Sequence, residues 1–159
     1  PVLTSKKNIE LFKKYGVLNK VESESREHIY IEKYNKQVLI EAETASIMAR
    51  TLILPAAFRQ QTEIAEAVSA TKAAGSDSKS LKAELDDFAE LVSELRTKIA
   101  KLDKAIDTDV PDEHKKSVHL HENVLGAMGE LRAVVDALEI RVSHDLWPLP
   151  GYREMLSLH

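Results

Sequence analysis

Histidines are the residues of this sequence whose spacing comes closest to a reactive site. His114, His119 and His121 lie within one short stretch, and His114 and His121 are seven positions apart, on one face of a helix. Two imidazoles can begin a transition-metal site, but the site needs a third ligand from another segment, and no such partner can be named. The Glu-x-x-His pairs that di-iron bundles use are absent. We therefore expect surface or core histidines, with metal binding by His114 and His121 as the disfavoured alternative.

Other patterns that carry chemistry are missing from the sequence. It has no Gly-x-Ser-x-Gly turn for a nucleophilic serine, no Gly-x-x-x-x-Gly-Lys loop for phosphate and no Gly-x-Gly-x-x-Gly loop for a dinucleotide. It also has no cysteine, which excludes disulfides, thiolate ligands and a cysteine nucleophile. We predict no catalytic, cofactor-binding or metal-binding residue in this chain.

The composition is that of one helical domain. The 159 residues are 43% hydrophobic and 30% charged, with five glycines and five prolines, a balance that can bury a core and favours helices. The net charge of −4 gives no electrostatic reason to expect nucleic acid or an anionic membrane as a partner, and no stretch approaches the roughly 20 apolar residues of a membrane span. We expect a cytoplasmic protein. Because the chain starts at Pro1 and not at Met, we also expect a segment of a longer protein.

Hydrophobic periodicity predicts two helices in the first half of the chain. A short helix over about 5–15 ends before Gly16, and a long helix over about 20–74 ends at the next glycine, because glycine favours the left-handed conformation that stops a helix. Pro55 is the only strong breaker inside the long helix. Since proline lacks a backbone N–H, we expect it to bend this helix by more than ~20°.

The second half of the chain predicts a helical hairpin. The helix over about 77–107 has an apolar residue at every third or fourth position: Leu81, Leu85, Phe88, Val92, Leu95, Ile99, Leu102 and Ile106. The helix over about 110–142, with Asp109 as its expected N-cap, repeats this spacing. The expected fold is all-α, an elongated antiparallel helical bundle in a single domain over 1–159. A long kinked helix packs on the hairpin, with a short N-terminal helix and a C-terminal tail that contains Trp and Pro.

Four stretches resemble the C-terminal helical region of type III glutamine synthetases. They are VLTSKKNIELFKKYGVL (2–18), IEAETASIMARTLILPA (40–56), ELRAVVDALE (130–139) and LWPLPGY (146–152). Their order and spacing fit the family, so that the resemblance extends over essentially the whole chain. One departure is Gly126, at a position where the resemblance leads us to expect proline.

The resemblance implies an oligomeric cytoplasmic enzyme that joins ammonia to glutamate through γ-glutamyl phosphate, using ATP and Mg²⁺ or Mn²⁺. Family catalysis takes place on a β-rich catalytic domain, and none of its motifs matches a position here. The resemblance therefore implies a non-catalytic packing and assembly segment without a cofactor of its own. Its partners would be the catalytic domain of the same chain, neighbouring subunits and, in the isolated segment, a second copy. The alternative is a stand-alone helical scaffold or adaptor that binds a partner helix, and the reading frame upstream of Pro1 would distinguish the two.

The first part of the long helix is expected to be an interface. In antiparallel pairing the third helix reaches back only to about Thr44, so an apolar stripe lacks an intramolecular partner of sufficient length, and the short N-terminal helix can cover only part of it. The stripe consists of Ile29, Ile31, Tyr34, Val38 and Ile40. Exposed stripes of this kind usually mark an interface, here with the catalytic domain or a second copy.

The tail is expected to close one end of the bundle. Pro148 and Pro150 prevent helix continuation, while Trp147 and Tyr152 can bury large apolar areas. We expect them to cover the last core layer, around Val68, Leu81 and Leu138. Two alternatives stay open, a flexible tail and a tail that docks on the catalytic domain or a neighbouring subunit.

Overall fold

The part of the chain that the computed structural model describes, residues 2–156 without the side chains of residues 152 and 153, contains seven α-helices. They are α1 (Lys6–Lys14), α2 (Lys20–Met48), α3 (Leu54–Ala73), α4 (Lys79–Ile106), α5 (Glu113–His119), α6 (Leu125–Glu139) and α7 (Tyr152–Leu156). Helices account for 79% of the structure, and this part of the chain has no strand, which confirms the all-α prediction. None of the helices described here is long and apolar enough to cross a membrane.

Two π-helical turns each join two of these helices into one continuous rod. Ala49–Ile53 connects α2 to α3, and Leu120–Val124 connects α5 to α6. In the first turn the N–H of Leu54 bonds to the carbonyl of Ala49, five residues earlier, where a regular α-helix would bond to the fourth. The two units are called the α2–α3 rod and the α5–α6 rod below.

Pro55 follows closely on the first π turn. In a regular α-helix its ring would collide with the carbonyl four residues earlier, and its missing N–H would leave that carbonyl without a donor. The π turn changes the hydrogen-bond pattern just before Pro55, and Ile53 and Leu54 keep helical dihedral angles. The long helix is therefore continuous through Pro55, with a π turn that the periodicity did not indicate.

Local sequence signals account for the ends of the first helices. Asn19 accepts a hydrogen bond from the Glu22 amide at 2.9 Å, and the Glu22 carboxylate accepts one from the Asn19 amide at 2.8 Å. This reciprocal pair is a capping box at the start of α2. Gly16 and Gly75 have φ angles of 65° and 76°, as predicted for residues that stop helices.

The fourth predicted helix is shorter than expected. Its N-cap is Asp112 and not Asp109, since the Asp112 carboxylate accepts a backbone hydrogen bond at 2.8 Å three residues into the helix. Pro111 disfavours helical geometry in Val110, the residue before it, so a helix could not run on from Asp109. At its other end α6 stops at Glu139, before the predicted limit of 142.

The core lies where α4 packs between the two rods. The middle of the predicted apolar seam of α4 is buried: Phe88, Val92, Leu95, Ile99 and Leu102. These side chains belong to one cluster with buried residues of both rods, among them Ala42, Ile53, Ala57, Leu120, Leu131 and Leu138. The outer seam residues Leu81, Leu85 and Ile106 are only half-buried. The middle of the apolar seam of α4 is therefore part of the core, and its two ends are not.

Polar contacts fix how the rods are positioned along one another. The side chain of Asn35 in α2 is buried, and its Nδ2 donates to the backbone carbonyl of Glu113 at 3.0 Å and to the Glu113 carboxylate at 2.7 Å. Ser46 Oγ donates to the Asp103 carboxylate at 2.5 Å, and Arg50 pairs with the same carboxylate. Because buried polar groups are costly without partners, these links favour one axial arrangement of the two rods, through Asn35, and of the α2–α3 rod on α4, through Asp103.

The α5–α6 rod is displaced toward the first half of α2. His119, inside this rod, lies near the end of α4, with its Nε2 2.9 Å from the carbonyl oxygen of Ala105. The helix α5 therefore extends beyond α4 and runs along α2. At the other end the guanidinium of Arg141 lies 5.4 Å from the centre of the Phe88 ring. Because of this displacement, α5 covers part of α2, and within the described part of the chain the ends of α3 and α4 near Gly75 pack only on each other.

Candidate interaction surfaces

The predicted histidine pair lines an apolar cleft. His114 and His121 share its wall with Tyr30 and Tyr34, and the cleft has a volume of about 570 Å³. His119 is held elsewhere, on the carbonyl at the end of α4. Within residues 2–156, no three His, Cys, Asp or Glu side chains are grouped so that they could hold a metal ion. Two carboxylates, of Glu27 and Glu122, also line this cleft, but most of its walls are apolar or aromatic side chains.

The first part of α2 is less exposed than the sequence predicted. Val38 is 5% exposed and belongs to the core, while Ile31 and Tyr34 are half-buried. The reason is the displaced α5–α6 rod, because α5 packs against α2 where the third helix does not reach. The expectation that this stripe lacks a partner of sufficient length within the chain was wrong for Val38, while Ile29 and Ile40 stay exposed on a different face.

That exposed surface, which we call the isoleucine face, runs along one side of α2. Ile29, Ile40 and Ile47 are 55%, 62% and 61% exposed. They are spaced by 11 and 7 residues, both close to whole numbers of helical turns, so the three side chains are aligned. Exposed Lys33 and Glu43 lie between them. Ile29 and Ile40 therefore do not share one stripe with Val38, as predicted from the sequence, and their 11- and 7-residue spacing is the signal for a second face.

One ion pair borders the isoleucine face. Lys36 Nζ lies 2.5 Å from a carboxylate oxygen of Glu32, one helical turn away. The hydrogen bond from Lys36 lowers the pKa of Glu32, and the same bond raises the pKa of Lys36. Both groups therefore stay charged at neutral pH, and the charge of Lys36 is balanced within its own helix.

The tail turns back along the side of the bundle. The backbone amide of Ser143 donates to Gln60 Oε1 at 2.8 Å, and the amides of Leu146 and Trp147 both donate to the Ser143 carbonyl at 3.0 Å. Trp147 and Leu149 then pack against the core. Pro148 and Pro150 are exposed on the outside of this segment, which alternates inward and outward as an extended chain does.

A groove of about 610 Å³ lies beside Trp147. Its walls come from the α2–α3 rod, with Met48 and Ile53, and from α6, with Met128 and Val135. The indole Nε1 of Trp147 is shielded from solvent and has no acceptor among the residues described. The tail therefore covers the seam between two rods, and part of that seam stays open.

The expected position of the tail needs a correction. We predicted that it closes the end of the bundle over Val68 and Leu81, but Trp147 lies on the side of the bundle instead. The α5–α6 rod ends level with Gln60 and Phe88, because its displacement draws it away from the Gly75 turn. The predicted contribution of Tyr152 rests on a side chain outside the described residues.

Known proteins resemble this chain over nearly all of its length. Residues 1–72 match the family model of the glutamine synthetase C-terminal domain. A type-3 glutamine synthetase of Dictyostelium discoideum is 35% identical over 165 residues, which cover 98% of this chain and 22% of that protein. A glutamine synthetase of Bacteroides fragilis (strain YCH46) is 26% identical over 150 residues, which cover 88% of this chain and 20% of that protein. The chain thus spans about a fifth of the length of the curated relatives that it matches. The chain is similar to the C-terminal part of a type-3 glutamine synthetase.

Proposed function

We propose that this chain is a non-catalytic packing and assembly domain of a glutamine synthetase. The longer protein would be a cytoplasmic ATP-dependent ligase that makes glutamine from glutamate and ammonia through γ-glutamyl phosphate. The observation that carries the proposal is the 35% identity over 98% of this chain with a protein of which it spans only 22%. A segment that matches so small a share of the enzyme over so much of its own length is best explained as one structural part of it.

The ATP and divalent metal of glutamine synthetases do not fit the residues described here. Those residues offer no group of three metal-ligating side chains. The sequence also lacks a glycine-rich loop whose backbone amides could cradle phosphates. No reaction step is therefore assigned to this chain, and the cofactors would bind to the catalytic domain.

Two exposed apolar surfaces support a role in assembly. The isoleucine face lies on the outer side of α2, and the Trp147 groove lies between α6 and the α2–α3 rod. Soluble proteins rarely leave large apolar surfaces exposed unless these surfaces contact a partner. The catalytic domain of the same chain and neighbouring subunits are the partners that the proposal assigns to these surfaces.

An activity assay tests the non-catalytic part of the proposal. The chain is incubated with glutamate, ammonia, ATP and Mg²⁺, and glutamine is measured against a blank without protein. We expect no glutamine above the blank, while the full-length protein that contains this chain makes glutamine under the same conditions. Turnover by the isolated chain would refute the proposal. A natural reading frame that begins and ends near residues 1 and 159 would instead favour the independent scaffold.

A further inference from the structure

The isoleucine face has a charge pattern that is complementary to itself. Over the 18 residue steps from Ile29 to Ile47, about 27 Å of helix, the exposed side chains along this face are apolar, basic (Lys33 and Lys36), apolar, acidic and apolar. Lys33 lies in the first half of this segment and Glu43 in the second. Both side chains are exposed, and neither has an ion-pair partner within the described part of the chain. Reversing the direction of the helix exchanges the two charges.

We propose that this face pairs with the same face of a second copy, antiparallel, about a two-fold axis level with residue 38. Ile29 and Ile47 are each nine positions from that level, so each lies opposite the other in the second copy. Lys33 and Glu43 are each five positions from it, which sets two Lys–Glu pairs across the interface. This inference rests on the proposed role in assembly and names the occupant of one of its two surfaces.

A neighbouring register is distinguishable from this one by its charges. An axis that brought Ile29 opposite Ile40 would place Lys33 opposite Lys36 and Glu43 opposite Arg26, so in that register Lys33→Glu would strengthen the pairing instead of weakening it. In the proposed register Lys36 faces Ile40, where its aliphatic stem can pack while its ammonium stays with Glu32.

One facing pair of like charge remains in this arrangement. Arg26 comes to lie opposite Arg50, whose charge is already compensated by Asp103. The surface is also free of the chain's own elements, since the three isoleucines that define it are all more than half exposed. Three isoleucines on each copy make a small interface, so the pairing is expected to be weak and concentration-dependent.

Two single substitutions test the register. In a dimer of the Lys33→Glu variant, each copy carries Glu at positions 33 and 43. In a dimer of the Glu43→Lys variant, each copy carries Lys at these positions. Each dimer therefore has two facing pairs of like charge. Each variant should pair about tenfold more weakly than the wild-type chain. Mixing the two variants should restore pairing, because a heterodimer of them opposes Glu to Lys at both positions. Circular dichroism confirms that the variants fold.

Sedimentation equilibrium gives the readout, over concentrations up to about 1 mM so that weak complexes are visible. The wild-type chain should approach twice its monomer mass, and Lys82→Glu, the same charge change on the exposed start of α4, should behave like it. A wild-type chain that stays monomeric, or two variants that do not recover pairing on mixing, would overturn the proposal. Neither result bears on the glutamine assay, so failure of the pairing is distinguishable from failure of the proposed function.

Discussion

The backbone amide of Ser143 donates a hydrogen bond to the side-chain oxygen of Gln60 at 2.8 Å, although the two residues are 83 positions apart. This bond marks the level at which the α5–α6 rod ends against α3. Beyond it, the last part of α3 and the first part of α4 form a two-helix hairpin that turns at Gly75. Two packed helices bury less apolar surface per residue than three, so this end of the molecule should be the less stable one.

Leucine-to-alanine substitutions along α4 should show this difference in stability. Leu102 is fully buried in the core cluster, whereas Leu81 lies half-buried in the two-helix hairpin. We expect Leu102→Ala to lower the free energy of unfolding by about 3–4 kcal/mol and Leu81→Ala by about 1 kcal/mol. Urea unfolding followed by circular dichroism gives both values. Equal losses would mean that the α5–α6 rod also packs on the part of the hairpin near Gly75.

Trp147 should stabilise the side of the bundle. A fully buried tryptophan replaced by alanine costs ~3–5 kcal/mol, and the groove beside the half-buried Trp147 lowers the expectation to about 2–3 kcal/mol for Trp147→Ala. Pro148→Ala, at the exposed neighbouring position, serves as the control and should cost less than about 1 kcal/mol. Chemical unfolding measures the two losses, and a Trp147→Ala loss no larger than that of the control would favour the flexible tail.

Gly126 should accept proline. It follows the second π turn at the same distance as Pro55 follows the first, and a Cβ added to Gly126 would meet no neighbouring atom within 4 Å. We therefore expect Gly126→Pro to cost less than about 1.5 kcal/mol. Gly129 has equal space around it but lies inside regular α-helix, where proline costs ~3 kcal/mol or more. Comparing the unfolding midpoints of the two variants tests this expectation. Equal losses of stability would show that the π turn does not make the helix tolerant of proline.

The carboxylate of Glu130 should contribute to stability only above acidic pH. Hydrogen bonds from Lys101, at 2.6 Å, and from Lys98, at 3.1 Å, hold its pKa below the ordinary value of 4.5. Because the pKa is lower in the folded chain, the contribution is present above the unfolded pKa and is lost as the pH falls through the folded pKa. Glu130→Gln should therefore lower the unfolding midpoint at pH 7 and leave it close to wild type near pH 3.

A substitution of an unpaired carboxylate is the control for this pH comparison. Glu84→Gln removes an exposed carboxylate of α4 that has no ion-pair partner among the residues described. It should leave the midpoint unchanged at either pH. A Glu130→Gln difference that persists in acid would show that packing, and not charge, accounts for it.

Periodicity predicted the helices and the middle of the core because both depend on residues close in the chain. The buried seam from Phe88 to Leu102 follows directly from the apolar spacing of α4. The axial position of the α5–α6 rod does not follow from this spacing. A helix with a heptad pattern presents the same apolar positions after it is shifted along its partner by one or more repeats. That position depends on contacts between distant residues, such as Asn35 with Glu113. Both errors, at Val38 and at the tail, come from this one displacement.

The candidate surfaces were predictable only in part. The tail was recognised from Trp147 and its prolines, but its place on the side of the bundle depends on where α6 ends. The isoleucine face was missed because Ile29 and Ile40 were assigned to the stripe that contains Val38. A helix with 3.6 residues per turn cannot turn all of these side chains to one side, and the structure separates them into a buried and an exposed face.

The mass of the full-length protein that contains this chain tests the claim of assembly most directly. Sedimentation velocity compares the wild type with Ile40→Asp, which places a charge in the middle of the isoleucine face, and with Ala70→Asp on the exposed end of α3. We predict that Ile40→Asp yields smaller species and that Ala70→Asp keeps the wild-type mass. An Ile40→Asp protein with the same mass as the wild type at every concentration would contradict the role that we assign to this surface.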